Sequence, residues 1–384
     1  MREYIEIKNF GPINHVRIDD IKPLTVLIGE SGSGKSTLMK MLAIFRWIYK
    51  MTNIRAYLKF YSKIKRSPFK INFHVMIKRD GLMDYLRNDT FMRYGRGECE
   101  MLYQNGKFRI VKGKIPQKEL NLEKISFISE KRNIIPDYME HNVSINQKAF
   151  YLKEVWSDYQ EATESIKYLD LPFVDVRFKE EKKGGSIKHK ITSTESNGRY
   201  SVDLQDASSG IQFSTPLSLI VEYFSSKYDL VKAMNKMVYS YLSEQDSFGD
   251  FKGELNIGDF PNKRVNILIE EPELGLYPEN QVGLMDFLVE RCFLRNQTDY
   301  DITLTLSTHS PFFVNYLNVL LLRSTSEIHV SKEQLAVYRV FDGGLQDLVM
   351  RDNDGNVVSV DTRDLSEVMQ SMYSEYLDRI NSAV

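Results

Sequence analysis

The stretch that decides the fold is LTVLIGESGSGKSTLMKMLAI, residues 24–44. It opens with five apolar or β-branched residues, passes through the pattern G-x-x-x-x-G-K-S at residues 29–36, and ends in a run of helix-forming residues. This order predicts a buried strand, a glycine-rich turn and a helix. Such a turn lets backbone N–H groups converge on phosphate oxygens, and the helix N-terminus adds partial positive charge. The sequence therefore predicts a phosphate-binding loop on an α/β sheet.

The residues of this turn have separate expected roles. Lys35 is predicted to span the β- and γ-phosphate oxygens, and the Ser36 hydroxyl to ligate Mg²⁺. We therefore expect a nucleoside triphosphate with Mg²⁺ as ligands. The predicted nucleotide-binding residues of the loop are Gly29, Glu30, Ser31, Gly32, Ser33, Gly34, Lys35, Ser36 and Thr37.

Composition narrows the class of protein. The 384-residue chain carries a net charge of −1, and no stretch approaches the roughly 18 consecutive apolar residues of a membrane span. Its N-terminus has no apolar signal region. Cys99 and Cys292 form no C-x-x-C pair, which argues against a disulfide framework or a zinc site. We expect a cytoplasmic protein with reduced thiols and no membrane partner.

Charge is distributed unevenly along the chain. Residues 31–79 contain twelve Lys and Arg residues and no acidic residue, with aromatic residues interleaved. This pattern is typical of a surface for nucleic acid or another acidic macromolecule, but also of a solvated basic helix face. The candidate partner-binding residues are Lys40, Arg46, Lys50, Arg55, Lys59, Lys63, Lys65 and Arg66.

A second pattern, VNILIEEPE, occupies residues 265–273. It predicts an apolar strand ending in adjacent carboxylates, as a nucleotide hydrolase needs opposite its phosphate loop. Glu270 is expected to hold Mg²⁺ through water, and Glu271 to orient and deprotonate the attacking water. The usual residue at the first position is Asp, so Glu270 adds one methylene.

Two further patterns complete the candidate site. His309 follows a predicted strand at residues 302–305, a position from which it can hydrogen-bond the γ-phosphate or the attacking water. Ser208, Ser209 and Gly210 precede an apolar helical stretch and form a second anion cradle. One nucleotide does not need two cradles in one chain.

The order of these motifs resembles the ABC-type ATPases, particularly the SMC/RecF-like and OLD-like branch. In that comparison residues 29–36 resemble Walker A, 207–212 a variant signature, 270–273 Walker B, 274–278 the D-loop and 308–311 the switch histidine. Residues 127–132 resemble the Q-loop region without its Gln, which implies Glu130 or Arg132 as the γ-phosphate or Mg²⁺ sensor.

The resemblance implies a fold and an assembly. The expected fold is α/β, a P-loop NTPase of ABC-head type with a mixed β-sheet, flanking helices and an inserted helical and β lobe. The expected assembly is a homodimer, or a higher oligomer, in which two chains sandwich two ATP molecules. Ser209 and Gly210 of one chain would complete the site of the other chain, which is built by Lys35, Ser36, Glu271 and His309.

We expect one ATPase head over residues 1–384, with four additional segments. These are a basic helical and hairpin insertion at 40–120, a helical and hairpin insertion at 145–200, a helical insertion at 217–263, and C-terminal strands and a helix at 310–384. The predicted pieces are helices at 40–64, 146–168 and 230–243, a strand at 69–75, hairpins at 98–111 and around 184–185, and an irregular stretch at 247–263. No segment sustains the heptads of a long coiled-coil arm.

The C-terminal segment is expected to form strands at 335–341 and 345–350 and a helix at 364–380. Asp352-Asn353-Asp354 spells the D-x-D of a metal nuclease, but Gly355 follows it, which favours a hairpin turn. We therefore expect no nuclease activity from this chain.

Three functional hypotheses remain open. A head with neither arm nor nuclease resembles the stand-alone ATPase subunits of antiphage defence systems such as PARIS, Septu and retron-associated ATPases, which hold a separately encoded effector. The second hypothesis is a RecF-like or SMC-like ATPase that clamps DNA during repair or maintenance. The third is a nucleotide-dependent scaffold that does not hydrolyse ATP.

Overall fold

The computed structural model describes residues 1–61, 71–141, 150–183, 186–194, 200–243, 260–296 and 298–382. The strands in these ranges are β1 (Glu3–Phe10), β2 (Ile13–Ile18), β3 (Leu24–Ile28), β4 (Leu86–Arg96), β5 (Cys99–Gln104), β6 (Lys107–Lys112), β7 (Asn121–Ile128), β8 (Tyr168–Leu171), β9 (Val176–Lys183), β10 (Ser186–Ser193), β11 (Ser201–Asp203), β12 (Asn262–Glu270), β13 (Asp301–Thr308), β14 (Leu335–Phe341), β15 (Gly344–Asp347), β16 (Val349–Arg351) and β17 (Val357–Val360). The helices are α1 (Lys35–Tyr61), α2 (Phe73–Arg79), α3 (Ile135–His141), α4 (Phe150–Ser165), α5 (Ser209–Ser226), α6 (Leu230–Ser243), α7 (Pro278–Val289), α8 (Pro311–Leu322) and α9 (Arg363–Ser382).

A six-stranded sheet forms the centre of the molecule, in the order β15-β14-β3-β13-β12-β7. All neighbouring pairs are parallel except β14 with the edge strand β15. Every residue of β3 is buried, and β12 and β13 are buried along most of their length. Strands covered on both faces read as continuous apolar runs, which is why sequence periodicity identified these three. The fold is therefore mixed α/β, as expected.

Parallel pairing brings the carboxyl ends of five strands, β14, β3, β13, β12 and β7, to one edge of this sheet. Ile28 at the end of β3 lies opposite Thr308 of β13, and Glu270 at the end of β12 lies opposite Ser307. Strand β7 ends beside β12 on the other side. Residues that follow these strands come from distant parts of the chain, yet they meet here because the register is fixed by hydrogen bonds.

A second sheet is antiparallel, with the order β2-β1-β4-β5-β6. Its hairpin between β5 and β6 turns at Asn105 and Gly106, which have φ of 52° and 71°, so the hairpin predicted at 98–111 is confirmed. Phe45 of α1 stacks on Tyr94 of β4, with ring centroids 5.3 Å apart. This contact and the apolar residues around it join α1 to the antiparallel sheet in one continuous core.

The remaining strands form a four-stranded sheet, β11-β10-β9-β8, and the pair β16-β17. The turn between β16 and β17 contains Asp352, whose carboxylate accepts hydrogen bonds from the backbone N–H groups of Asp354 and Asn356. Gly355 has φ of 83°, so the predicted hairpin turn at 352–355 is confirmed. Among the described helices none is both long and apolar enough to cross a membrane.

Two of the predicted secondary-structure elements differ from the structure. The predicted strand at 69–75 is replaced, within the described residues, by α2, which begins at Phe73 after Asn72 accepts a hydrogen bond from the Val75 N–H. Phe73, Met76 and Ile77 are buried, so the apolar spacing serves a helix. The predicted helix at 146–168 ends earlier, at Ser165, because the chain enters β8. The predicted turn at 184–185 and most of the 247–263 stretch lie outside the described residues.

The free energy of unfolding is expected to depend on a buried ion pair between the antiparallel sheet and α1. Arg46 Nε donates to a Glu3 carboxylate oxygen at 2.8 Å, and the two side chains are 1% and 2% exposed. Burial alone would raise the pKa of Glu3, but the charges of Arg46 and Arg96 outweigh it and lower the pKa to about 2. Glu3→Gln leaves a buried cation without its partner, a change that costs about 3–5 kcal/mol.

Urea unfolding at neutral pH measures this loss. Because the folded pKa lies below the unfolded one, the contribution of Glu3 is full above pH 4.5 and disappears as pH falls towards about 2. The stability of Glu3→Gln should lack this component of the acid dependence. Asp19→Asn, which breaks the exposed Arg17–Asp19 pair, is the control and should leave the free energy of unfolding nearly unchanged. Equal effects of the two substitutions would contradict the interpretation.

Candidate functional site

The loop after β3 has the geometry of an anion cradle. Gly32 and Gly34 have φ of 78° and 108°, which residues with a side chain rarely adopt. A Cβ on Gly29 would stand 2.3 Å from the carbonyl oxygen of Val340, so β14 also demands glycine there. The Leu38 N–H donates to Gly34 O at 2.9 Å and starts the 27-residue helix α1. The predicted strand, turn and helix are therefore all present.

Lys35 lies against its own loop. Its ammonium donates to the carbonyl oxygens of Gly29 and Glu30, both at 2.8 Å, and the residue is 5% exposed. Burial lowers the pKa of Lys35, while the charges of Glu271 and Glu273 oppose that shift. A buried ammonium in a glycine-rich turn favours an anion as ligand.

Glu270 ends β12 at the inner side of the loop. It is 2% exposed, and both of its carboxylate oxygens are buried without a hydrogen-bond donor among the described residues. Burial and the adjacent Glu130 carboxyl raise the pKa of Glu270 to about 8, with the Ser36 hydroxyl and Lys40 opposing. Without a cation, Glu270 is therefore mostly the neutral acid at neutral pH. A cation bound here would favour the carboxylate, because it would supply the charge compensation that the protein does not.

The donor set here suits Mg²⁺ with substrate. Within the described ranges no cluster of three or more His, Cys, Asp or Glu side chains is arranged to hold a metal ion by itself. Mg²⁺ commonly takes one or two carboxylates and completes its shell with water and phosphate oxygens. Glu270 and the Ser36 hydroxyl therefore remain the predicted protein ligands. Glu130 lies next to Glu270 through the pairing of β7 with β12, a proximity that the sequence suggested only through the Q-loop resemblance.

Glu271 and His309 face each other across the ends of β12 and β13. The His309 Nε2 atom is 3.4 Å from a Glu271 carboxylate oxygen, and both side chains are about one-third exposed, at 34% and 30%. Glu271 has φ of 46°, a left-handed conformation that is unusual for a residue with a side chain. Its N–H donates to Ser307 O at 2.8 Å, which holds the backbone in place. The structure thus brings the two predicted catalytic residues together.

Glu273 fixes the backbone around the histidine. One carboxylate oxygen of Glu273 accepts hydrogen bonds from the Thr308 hydroxyl and the His309 N–H, both at 2.7 Å. Thr308 in turn accepts from the Ser310 N–H at 2.9 Å. These bonds orient His309 from two sides. The sequence analysis included Glu273 in the segment that resembles Walker B but gave it no role. Its position three residues after Glu270 was the one signal in the sequence that it belongs to the site.

Arg132 is the functional residue whose role the sequence missed. It is fully buried, and its guanidinium donates to the carbonyl oxygens of Glu270 (2.8 Å), Glu271 (2.7 Å), Ser129 (3.2 Å) and Phe213 (3.0 Å). Burial lowers its pKa to about 10, so it stays charged at neutral pH. The sensor role that the resemblance offered to Arg132 does not fit, because its donors are occupied by backbone.

Two cavities adjoin the loop. The inner one, of 240 Å³, is lined by Lys35, Ser36, Tyr85, Glu271 and His309 among other residues. The outer one, of 720 Å³, lies between the first half of the loop, His309 and the strand end at 339–343. The lining of the inner cavity contains the predicted base, histidine, lysine and metal-binding serine. Three motifs, namely the phosphate loop, the acidic pair after β12 and the histidine after β13, therefore converge on one space.

The second predicted anion cradle lies elsewhere. Ser208 and Ser209 are exposed at the start of α5, and neither they nor Gly210 line either cavity at the loop. Gly210 packs against Gly275, where a Cβ would stand 2.5 Å from the Gly275 carbonyl oxygen. The segments at 207–212 and 274–278 are therefore in contact. The structure does not bring Ser208, Ser209 or Gly210 to Lys35 of the same chain.

The basic segment is split between core and surface. Arg46 and Lys50 are 1% and 7% exposed, and burial lowers the pKa of Lys50 to about 8. These two residues cannot face a macromolecular partner, so including them in a basic surface was wrong. Lys59 is exposed and Arg55 half-buried, whereas Lys63, Lys65 and Arg66 lie outside the described residues.

Comparison with known proteins gives distant likenesses. No family model and no curated protein matches the chain. The chain is similar to the SMC head domain from Thermotoga maritima, at 13% identity and a TM-score of 0.36, over 94% of this chain and 100% of that one. It is also similar to an SmcHead bound to the C-winged helix domain of ScpA, at 11% identity, a TM-score of 0.35, and 93% and 97% coverage.

A third likeness is to the Smc head domain with an extended coiled coil bound to the C-terminal domain of ScpA, derived from Pyrococcus furiosus. The identity is 9%, the TM-score 0.36, and the coverage 96% of this chain and 98% of that one. Values this low do not assign the chain to a family.

Proposed function

We propose that this chain is an ATP-binding and ATP-hydrolysing switch subunit of ABC type. The observation that carries the proposal is the convergence of Lys35, Ser36, Glu271 and His309 on one 240 Å³ cavity. A phosphate cradle, a metal ligand, a general base and a polar residue beside that base are the parts that phosphoryl transfer to water requires. The cradle and the metal ligand come from the loop and helix after β3, the base follows β12 and the histidine follows β13.

The residues divide the chemistry as follows. The loop N–H groups and Lys35 bind and orient the triphosphate, which positions the γ-phosphate opposite Glu271. Glu271 accepts a proton from the attacking water, and His309, 3.4 Å away, hydrogen-bonds the γ-phosphate or that water. Ser36 and Glu270 would hold Mg²⁺, which supplies charge neutralisation on the phosphate oxygens. Product phosphate and ADP then leave the cradle.

A second copy of the chain completes the site. The exposed Ser208 and Ser209 stand at the N-terminus of the 18-residue helix α5, where N–H groups and the helix dipole favour an anion. They lie outside the cavities of their own loop. In a two-fold dimer the phosphate loop of each chain would face the second cradle of the other chain, and one ATP would lie between the members of each pair. ATP binding would close the dimer and hydrolysis would reopen it.

More specifically, we propose that the chain is a subunit that holds or activates a separately encoded effector in an antiphage defence complex. Its support is an analogy with the stand-alone ATPase subunits of such systems. The alternative, a RecF-like DNA clamp, relied on the basic segment, and burial of Arg46 and Lys50 removes two of its cations.

Glu271→Gln should abolish hydrolysis while keeping nucleotide binding. The amide cannot accept a proton but preserves shape, so phosphate release should fall by about 10²- to 10⁴-fold. ATP affinity, measured by calorimetry, should change little. Glu279→Gln alters an exposed acid in the first turn of α7 and should hydrolyse ATP as the wild type does. Wild-type turnover in Glu271→Gln would exclude Glu271 as the base, and no turnover in the wild type would favour the non-hydrolysing scaffold.

Mixing two inactive variants tests the shared site. Lys35→Ala disables the phosphate cradle, and Ser209→Arg blocks the second cradle of the same chain. In a two-fold dimer of one of each, one site contains both defects and the other contains neither. Random pairing should therefore restore about a quarter of wild-type phosphate release. Activity that stays at the level of the separate variants would show that the two cradles do not act together.

Co-expression with the neighbouring reading frame distinguishes an effector-holding subunit from a DNA clamp. A stable complex that copurifies with the chain, and that changes on addition of ATP, is expected for an effector-holding subunit. A DNA clamp instead predicts ATP-dependent DNA binding whose affinity falls steeply with salt concentration. Strong DNA binding without a protein partner would favour the DNA clamp over the effector-holding subunit.

A further inference from the structure

The C-terminal helix α9 leaves the body of the protein after its first turns. The Arg339 guanidinium donates a hydrogen bond to Asp364 in the first turn at 2.8 Å, and Leu365 lines the outer cavity beside the phosphate loop. Arg339 pairs with Ile28 at the end of β3, so α9 starts at the phosphate-facing edge of the central sheet. Residues 370–380 are all exposed. About 16 Å of helix therefore projects from this edge into solvent.

The projecting part of α9 is amphipathic. At about 100° per residue its apolar side chains fall within an arc of about 140°, and the opposite side is polar. Leu365, seven residues before Met372, lies on the same face. The apolar residues of the arc, with their exposed fractions, are Met372 (63%), Tyr373 (64%), Tyr376 (58%), Leu377 (41%) and Ile380 (43%). The face that packs on the body at Leu365 thus continues without a partner from any other described element.

A helix with such a face is expected to be covered. Isolated helices of this length are marginal in water, and contiguous exposed apolar patches mark interaction sites. A membrane surface does not fit, because helices that lie on membranes carry Lys and Arg on the polar face. Nucleic acid does not fit either, since phosphates need an excess of cations. The charged residues of α9 are two bases, Arg363 and Arg379, and four acids, Asp364, Glu367, Glu375 and Asp378.

We propose that the apolar face of α9 pairs with the same face of α9 in a second copy of this chain, without nucleotide. An isologous contact uses one patch twice about a two-fold axis, so it needs no further apolar surface on either copy. Tyr373, Tyr376 and Ile380 follow one another at spacings of three and four residues, the spacing of a helix–helix seam. Two copies are expected at this edge because α9 starts beside the phosphate loop. In that respect the inference rests on the proposed function.

This contact acts as a tether between the two chains. Its side chains are apolar or aromatic, so burial supplies the free energy and ATP does not contribute. Two copies joined at α9 stay together after hydrolysis opens the nucleotide-dependent interface. Closure on the next ATP then occurs within one dimer, at a high effective concentration of the second cradle.

Sedimentation of the chain tests the pairing in a Glu271→Gln parent, which prevents turnover. Without nucleotide, the parent should show a concentration-dependent equilibrium between monomer and dimer. Tyr376→Asp places a carboxylate in the apolar seam and should raise the dimer dissociation constant at least about tenfold. Ser374→Asp adds the same charge on the polar side of α9 and should leave that constant unchanged. With ATP, both variants should still dimerise through the phosphate loop and the second cradle.

Disulfide cross-linking identifies what covers the face. Cys99 and Cys292 are buried, so a cysteine introduced on α9 is the reactive thiol. Tyr376 is the midpoint of the exposed apolar face at 372–380, and it therefore meets its own copy whether the paired helices run parallel or antiparallel. Under mild oxidation without nucleotide, Tyr376→Cys should form a covalent dimer. Ser374→Cys should form little of it.

Three results would overturn the proposal: a parent that stays monomeric without nucleotide, a dimer that Tyr376→Asp leaves intact, or equal cross-linking of the two cysteine variants. Equal weakening by Tyr376→Asp and Ser374→Asp would also contradict it, because charge alone would then explain the loss. Failure of ATP to strengthen dimerisation in any of these proteins would instead refute the shared ATP site. The two failures are therefore distinguishable.

Discussion

The buried guanidinium of Arg132 is the interaction on which the phosphate-facing edge of the sheet depends. It satisfies carbonyl oxygens at the end of β12, in the turn after β7 and in α5, three segments that are far apart in sequence. A strand that ends in the interior leaves carbonyls without partners, and each would cost about 1–3 kcal/mol if left unsatisfied. The five donors of a guanidinium meet that demand in a single plane. Lysine would not, because its ammonium is a point donor.

This clamp explains how an unusual backbone can persist at Glu271. A left-handed conformation costs about 1–3 kcal/mol and survives where the surroundings over-determine it. Here Arg132 holds the Glu271 carbonyl, and Ser307 holds its N–H. The carboxylate is thereby directed to His309, whose own backbone is held by Glu273. Since Arg132 also bonds Phe213 in α5, the proposed base and the helix that carries the second cradle are mechanically joined.

Charge patterning illustrates the limit of reasoning from the sequence. Twelve cations without an acid over residues 31–79 resemble a surface for an anionic partner. In the fold, Arg46 pairs with Glu3, 43 residues away, and Lys50 lies in the core. Helical spacing shows which side chains share a face, but not which face meets the remainder of the protein. The strand predicted at 69–75 was wrong for a related reason. The side chain of Asn72 caps a helix that begins at Phe73, although the apolar residues alternate as in a strand.

The sequence by itself determined the phosphate loop, the three central strands, the acidic pair and the histidine, because each depends on short-range patterns of burial and turn chemistry. It also indicated that the second anion cradle, at 208–210, does not bind the nucleotide held by the phosphate loop of the same chain. Only the tertiary structure decided that Glu271 and His309 face each other, that Glu130 lies beside Glu270, that Arg132 is a backbone clamp and that Tyr85 borders the cavity. Those facts depend on strand order and register, which bring together residues separated by up to hundreds of positions.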